Sequence, residues 1–280
     1  RVLRALAPAG VVACDEAGRY ALTPIGACLT REAPASLRDL VLMVGEDWHE
    51  QAWDRLDDAV RSGQNAFEIA HEEAFFEYMD RRPEAAARFD AAMGTFAALT
   101  HAAIVDAYDF TDAHVIVDVG GGNGTLLAAI LARHPQARGV LLERPHVTDR
   151  ARATLAQAGL QERVACVAGD FFTAVPDTGD IYILATVLHD WNDEHAISIL
   201  RGISAAMSPD DRLLIAEQLL PQTNTASFSK LLDIEMLVLS GGRERTAAQY
   251  DELLQAAGLR VERVIATPTP TSVIEATLAN

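Results

Sequence analysis

Five short runs dense in Val, Ile and Leu, "HVIVDV", "GVLLE", "RVACVAGD", "DIYILAT" and "RLLIAEQ", recur between residues 114 and 218 with helix-like segments between them. A strand with one wet face alternates apolar and polar residues, whereas strands this uniformly apolar belong to a parallel sheet covered by helices on both faces. Alternation of such runs with helices predicts a doubly wound α/β domain with a mostly parallel sheet. Two further runs, "LRVERVIATP" and "TSVIEATLA", follow within residues 259–279 with almost nothing between them. A parallel crossover needs about a dozen residues, so this pair is expected to close the sheet as an antiparallel hairpin.

Residues 1–110 follow another grammar. They read as mainly helical, interrupted once at "GVVACDEAGRYALT", where Gly18 separates two strand-like stretches as a hairpin requires. "DWHEQAWDRLDDAVRSG" and "EEAFFEYMDRRPEAAARFDAAMGTFAAL" place apolar residues at three- and four-residue spacing, the pattern of amphipathic helices. Trp48, Phe75, Phe76 and Met93 are then helix core, some of them able to line an apolar pocket facing the second domain. Helix, hairpin and helix suggest a winged-helix-like unit that is structural or dimerising. DNA binding is disfavoured: residues 1–40 hold five arginines against four acids, and the whole chain carries a formal charge of −17. Nucleic-acid affinity rests on neutralising phosphates, which needs a segregated basic patch.

No apolar run reaches the ~18 to 20 residues that span a bilayer, and the opening "RVLRALAPAGVV" lacks the progression of a secretory leader. A cytoplasmic protein without a membrane partner is expected, with residues missing upstream of a helix already under way at Arg1. Cys14, Cys28 and Cys166 are scattered without C-x-x-C spacing, which argues against a zinc site or a disulfide framework and predicts buried thiols. No metal site is expected.

The first strand of the α/β domain runs into "DVGGGNG" at residues 118–124. In open α/β sheets ligands sit at the carboxyl ends of the strands, near the point where strand order reverses. Gly120, Gly122 and Gly124 give G-x-G-x-G, while the dinucleotide fingerprint G-x-G-x-x-G wants a small residue where Thr125 stands. Asp118 would repel a pyrophosphate but suits a cationic amino-acid group, held directly or through water. A nucleoside bearing an ammonium and no phosphate is S-adenosylmethionine. Glu143, ending the second strand about twenty positions on, is placed for ribose hydroxyls, and Asp170 and Phe171 in "AGDFF" for the adenine amino group and ring.

His189 follows the fourth strand at the same rim, and Asn192 or Asp193 N-caps the helix beyond it. A lone histidine there is more often structural than catalytic. Two carboxylates shift that balance: Glu217, ending the fifth strand, and Glu244, in "SGGRERT".

The glycine turn, "ERPHV", "GDFF", "LHDWNDE", "IAEQLLP" and "GGRERT", with "LTPIG" and "FDAAM" upstream, resemble in order and spacing the class I S-adenosylmethionine-dependent O-methyltransferases of the plant phenolic type, which have bacterial relatives in polyketide and antibiotic tailoring. The resemblance covers nearly the whole chain. It implies a Rossmann-like catalytic domain at residues 111–280, preceded at 1–110 by a helical, winged-helix-like domain for dimerisation and substrate covering. It also implies a homodimer, a small aromatic hydroxylated substrate, His189 as general base flanked by Glu217 and Glu244, and a substrate pocket near Met93. Cofactor contacts are implied at Gly120, Glu143, Asp170, Phe171, Asp190 and Trp191.

Two positions depart from that pattern. Glu143 stands where an aspartate is usual, and Ala185 where plant members have a cofactor-contacting lysine. The expected reaction is methylation of a phenolic hydroxyl, in which an imidazole takes the proton as the oxygen attacks. The rival is use of the same fold and cofactor for hydroxylation or decarboxylation of a polyketide. A nicotinamide-linked dehydrogenase is disfavoured by the glycine pattern and Asp118, and a ligand-sensing regulator by the lack of a basic recognition helix.

Overall fold

The computed structural model describes residues 1–33 and 36–279. Helix α1 (Val2–Leu6), a hairpin of β1 (Val12–Cys14) and β2 (Tyr20–Leu22), and α2 (Pro24–Ala27) come first. Helices α3 (Arg38–Val44), α4 (Asp47–Trp53), α5 (Leu56–Ser62), α6 (Ala66–His71), α7 (Phe75–Arg81) and α8 (Pro83–Ala107) follow. The second half alternates β3 (Val115–Val119), α9 (Thr125–Arg133), β4 (Arg138–Glu143), α10 (Pro145–Gln157), β5 (Val164–Ala168), β6 (Ile181–Ala185), α11 (Asp193–Ala206) and β7 (Arg212–Gln218). Helices α12 (Phe228–Val238) and α13 (Ala247–Ala256) lead to β8 (Leu259–Ala266) and β9 (Thr271–Leu278).

Strands β3 to β9 form one sheet in the order β5-β4-β3-β6-β7-β9-β8. The pairs among β3, β4, β5, β6 and β7 are parallel, and β9 runs antiparallel to both β7 and β8, as the closely spaced terminal runs required. From β3 the chain works outward through β4 and β5, then returns to lay β6 and β7 on the other side. Strand order therefore reverses between β3 and β6, the place at the carboxyl ends where open α/β sheets bind ligands.

Side-chain alternation sets the core. Val117, Tyr182, Leu184, Leu213 and Ile215 face one cluster with Ile199, Leu200 and Ile203 of α11 and Leu253 and Leu254 of α13. Ile116, Ile181, Ile183 and Leu214 face the other, with Leu127, Ile130 and Leu131 of α9. Each such residue fully withdrawn from water contributes ~1.5 to 3 kcal/mol, which is why strands apolar on both faces along most of their length are stable here. This second cluster also takes in Ile104 and Val105 of α8, Tyr108 and Phe110. The long helix α8 is thus anchored in the sheet's core at its carboxyl end.

At its other end α8 begins with Pro83 at the first helical turn, where the missing N–H costs nothing. A third cluster of Met43, Trp48, Phe67, Phe75 and Met79 packs there against Val238 and Leu239 at the end of α12, with Met93 half-buried beside it. Upstream, α1 buries none of its residues, and Val2, Leu22 and Ile25 are exposed. The expectation of buried thiols is corrected: Cys14 and Cys28 are exposed and Cys166 half-buried. Cys14 lies on the outward edge of the small hairpin and Cys28 caps the four-residue α2, neither of which has a second layer to cover it.

Candidate active site

Thr186 leaves β6 with φ 52°, a left-handed conformation that a β-branched residue holds only when its surroundings impose it. The chain then turns through a single 3-10 turn, Leu188–Asp190. The N–H groups of Val187 and Leu188 donate to Oε1 of Glu217 on β7 at 3.1 and 2.9 Å. Glu217 is fully buried, and its Oε2 lies 3.9 Å from Nδ1 of His189.

Glu244 reaches the same nitrogen of His189 more closely. Its Oε1 is 2.7 Å from Nδ1, while its own N–H donates to Asp233 of α12 at 2.8 Å. A carboxylate this close accepts a hydrogen bond from Nδ1–H, so the neutral ring is the Nδ1–H tautomer with its lone pair on Nε2. Asp190 Oδ1 is 3.9 Å from that Nε2. Burial opposes a charge on the imidazole, but Glu217, Asp190 and Glu244 outweigh it and raise its pKa to about 10. Burial likewise raises the carboxyl of Glu217, and that of Asp190 to about 6. The structure thus brings His189, Glu217, Glu244 and Asp190 together.

The residues expected to hold the cofactor lie along the adjoining rim. Gly120, Gly122 and Gly124 have φ of 70°, 55° and 78°, open to glycine without strain. The Gly122 N–H donates to Glu143 Oε2 at 3.3 Å, and the Arg144 N–H to Glu143 Oε1 at 2.7 Å. Asp118 lies under the turn at 1% exposure. A Cβ on Gly121 would sit 2.5 Å from its carboxyl, so the bare glycine makes room for the acid. Both Asp118 oxygens lack a hydrogen-bond partner, and burial, with Glu143 nearby, lifts its pKa to about 7.

Phe171 and Phe172 meet Trp191 edge-on at 6.0 and 4.8 Å between centroids. Asp170 is exposed and accepts from the Phe172 N–H at 2.9 Å. Asn192, rather than Asp193, caps α11. Met93 lies half-buried on α8 against the helical cluster. An orphaned buried acid below a glycine turn, a carboxylate at the next strand end and an aromatic wall fit a nucleoside with a cationic tail.

His189, Glu217 and Glu244 also place one donor atom each within 4.8 Å of one another, a spacing open to a cation. The short Nδ1 to Glu244 contact and the two N–H bonds to Glu217 account for three of the atoms in that group without one.

Several neighbours carried no clear sequence signal. Asp233 and Arg245 are ordinary charges in helix and loop sequences, and only the fold turns them inward. Phe76 carries the period of helix core, yet its ring stacks on Trp191 at 6.2 Å and 23°. Arg144 lies 5.3 Å over the same ring and pairs with Asp80 at 2.9 Å. Helix α7 thereby reaches the strand-end residues Trp191 and Arg144.

Comparison with known proteins agrees with this geometry. A family model described as an O-methyltransferase domain matches residues 53–260. A phenazine O-methyltransferase of Lysobacter antibioticus is 42% identical over 276 residues, 99% of this chain and 81% of that one. The solved structure of a mitomycin 7-O-methyltransferase superposes with a TM-score of 0.93 at 38% identity, covering 100% of this chain and 83% of the other. An O-methyltransferase from neocarzinostatin biosynthesis, solved with S-adenosylmethionine and 2-hydroxy-5-methyl naphthoic acid, gives 0.87 at 31% identity over 99% and 84%. Aclacinomycin 10-hydroxylase of Streptomyces purpurascens is 38% identical over 264 residues, 92% of this chain and 71% of that one.

Proposed function

This chain belongs to the S-adenosylmethionine-dependent O-methyltransferase family of secondary-metabolite tailoring enzymes, and on that premise we propose that it methylates a phenolic hydroxyl of a small aromatic metabolite with His189 as general base. The observation that carries this is the 2.7 Å contact between Nδ1 of His189 and Glu244, which orients the ring and leaves Nε2 as the basic atom.

S-adenosylmethionine supplies an electrophilic methyl group on a sulfonium, transferred in line to the attacking oxygen. The chain's part is alignment and proton removal. A phenol has a pKa near 10, as tyrosine does; the surrounding carboxylates raise the imidazole's affinity for a proton, so its base form takes the phenol's proton as the oxygen attacks. Glu244 and Glu217 stabilise the imidazolium that forms. Asp118, Gly120 and Gly122 are assigned to the amino-acid end of the cofactor, Glu143 to its ribose, and Asp170, Phe171, Asp190 and Trp191 to the adenosine side. Residues 1–110 are assigned to substrate covering, near Met93, and to dimerisation, which the exposed apolar residues of α1 and the hairpin support.

A second reading, hydroxylation or decarboxylation with the same cofactor, draws on the hydroxylase among the relatives. The intact His189, Glu217 and Glu244 group favours methylation. Incubating the protein with S-adenosylmethionine and a panel of phenols and hydroxyquinones is expected to give a product heavier by one methyl group. Conversion of an acceptor without that gain, or no conversion across the panel, counts against methylation of an aromatic hydroxyl.

A further inference from the structure

We infer that Arg245 is a positioning residue for the methyl-transfer site, locking the backbone around His189 in the orientation in which its ring meets Glu244. Arg245 is among the largest side chains buried completely in this molecule. A buried guanidinium is tolerated only where its donors are met, and here they converge on one short segment. Nη1 donates to the carbonyl of Leu188 at 2.9 Å, and Nη2 to that of Trp191 at 2.7 Å. Nε and Nη2 both donate to Oδ1 of Asp193 at 3.0 and 2.7 Å, so the start of α11 is tied in as well.

The carbonyl between them is taken by the same loop: the Arg243 N–H donates to the oxygen of His189 at 2.8 Å. Gly242 permits this approach, because a Cβ there would lie 2.0 Å from that oxygen. Residues 242–245 therefore grip the turn on both flanks of His189, and Glu244, whose carboxylate meets the ring, is carried by the gripping segment. Backbone and side chain are registered by one interlock. Lysine cannot replace this, since a planar fork reaches three separated acceptors at once and an ammonium does not.

The inference rests on the proposed role of His189 as base, and its test separates the two. R245K, R245M and D193N are prepared in the full chain. S-adenosylhomocysteine affinity is measured by calorimetry, kcat and KM with an acceptor that the unaltered protein methylates, and the His189 ring by nitrogen-15 NMR. A displacement of about 1 Å costs up to ~100-fold in rate. R245K and R245M are expected to lower kcat by roughly 10- to 100-fold with KM and S-adenosylhomocysteine affinity nearly unchanged, and to lose the Nδ1–H signal of the bond to Glu244. D193N, which frees the fork at one end, is expected to move both readouts the same way by less, and it carries the test if R245M does not fold.

A folded R245K or R245M with unaltered kcat and an unaltered ring signal overturns the inference, as does a variant that loses thermal stability alone. If H189N proves fully active, the base assignment fails, while the ring signal in the Arg245 variants still decides whether this residue sets the His189–Glu244 contact.

Discussion

Oε1 of Glu244 stands 2.7 Å from Nδ1 of His189, and the same loop holds the backbone oxygen of His189 through the Arg243 N–H. Ring and main chain are therefore fixed together. H189N is expected to lower kcat by ~10²- to 10⁴-fold, the usual worth of a general base, with S-adenosylhomocysteine affinity by calorimetry nearly unchanged, since the groups assigned to the donor's amino-acid and ribose ends lie on β3 and β4.

Glu244 is one of the charges that raise the His189 pKa to about 10. The base form thus becomes more populated as pH rises, and kcat/KM for the acceptor is expected to climb through the alkaline range. E244Q removes a raising charge, so its limb should move down toward the ordinary histidine value near 6.5, together with a lower plateau. A pH profile in which E244Q titrates at or above the unaltered protein contradicts this.

Stability of the unliganded protein should fall as pH rises. Asp118 has its pKa raised from 3.8 to about 7, so the folded state holds more protons than the unfolded chain in that window and loses ground as they leave. His189, raised from 6.5 to about 10, contributes stability that is complete below 6.5 and lost through about 10. Both act in one direction. D118N is expected to flatten the acid part of a Tm-against-pH curve and leave the alkaline part sloping.

Gly242 tolerates no side chain. G242A would press a methyl group to 2.0 Å from the His189 oxygen, and such overpacking costs ~1 to 3 kcal/mol or more. A lower Tm together with a larger loss of kcat than of S-adenosylhomocysteine affinity is the expected pattern in thermal melts, calorimetry and steady-state rates.

Phe76 of α7 ties the helical half to the cofactor rim through Trp191 and Arg144. Aromatic contacts of this kind are worth ~0.5 to 1.5 kcal/mol, so F76A should weaken S-adenosylhomocysteine about 2- to 10-fold. Equal affinity in calorimetry would show that α7 does not cover the bound nucleoside.

Strands β3, β6 and β7 were legible because burial on both faces leaves runs dominated by Val, Ile and Leu, a signal that needs no partner to be read. The rim residues were legible for a related reason: Gly120, Glu143, Asp170 and His189 each follow such a run directly, so their place in the chain is their place in space. Arg245 and Asp233 were not, since a charge in a loop or on a helix has the same local appearance whether it faces water or a buried carboxylate. Nor was the φ of Thr186, because nothing in "LATVL" distinguishes a strained residue from an ordinary strand end.

The reversal of strand order between β3 and β6 divides labour within a single sheet. Strands β3, β4 and β5 present groups assigned to the methyl donor, β7 and the loop before α13 present the carboxylates assigned to proton removal, and the turn after β6 carries both kinds. Groups with different tasks thus arrive from separate strand ends, and a change at one strand end leaves the backbone that carries the others in place.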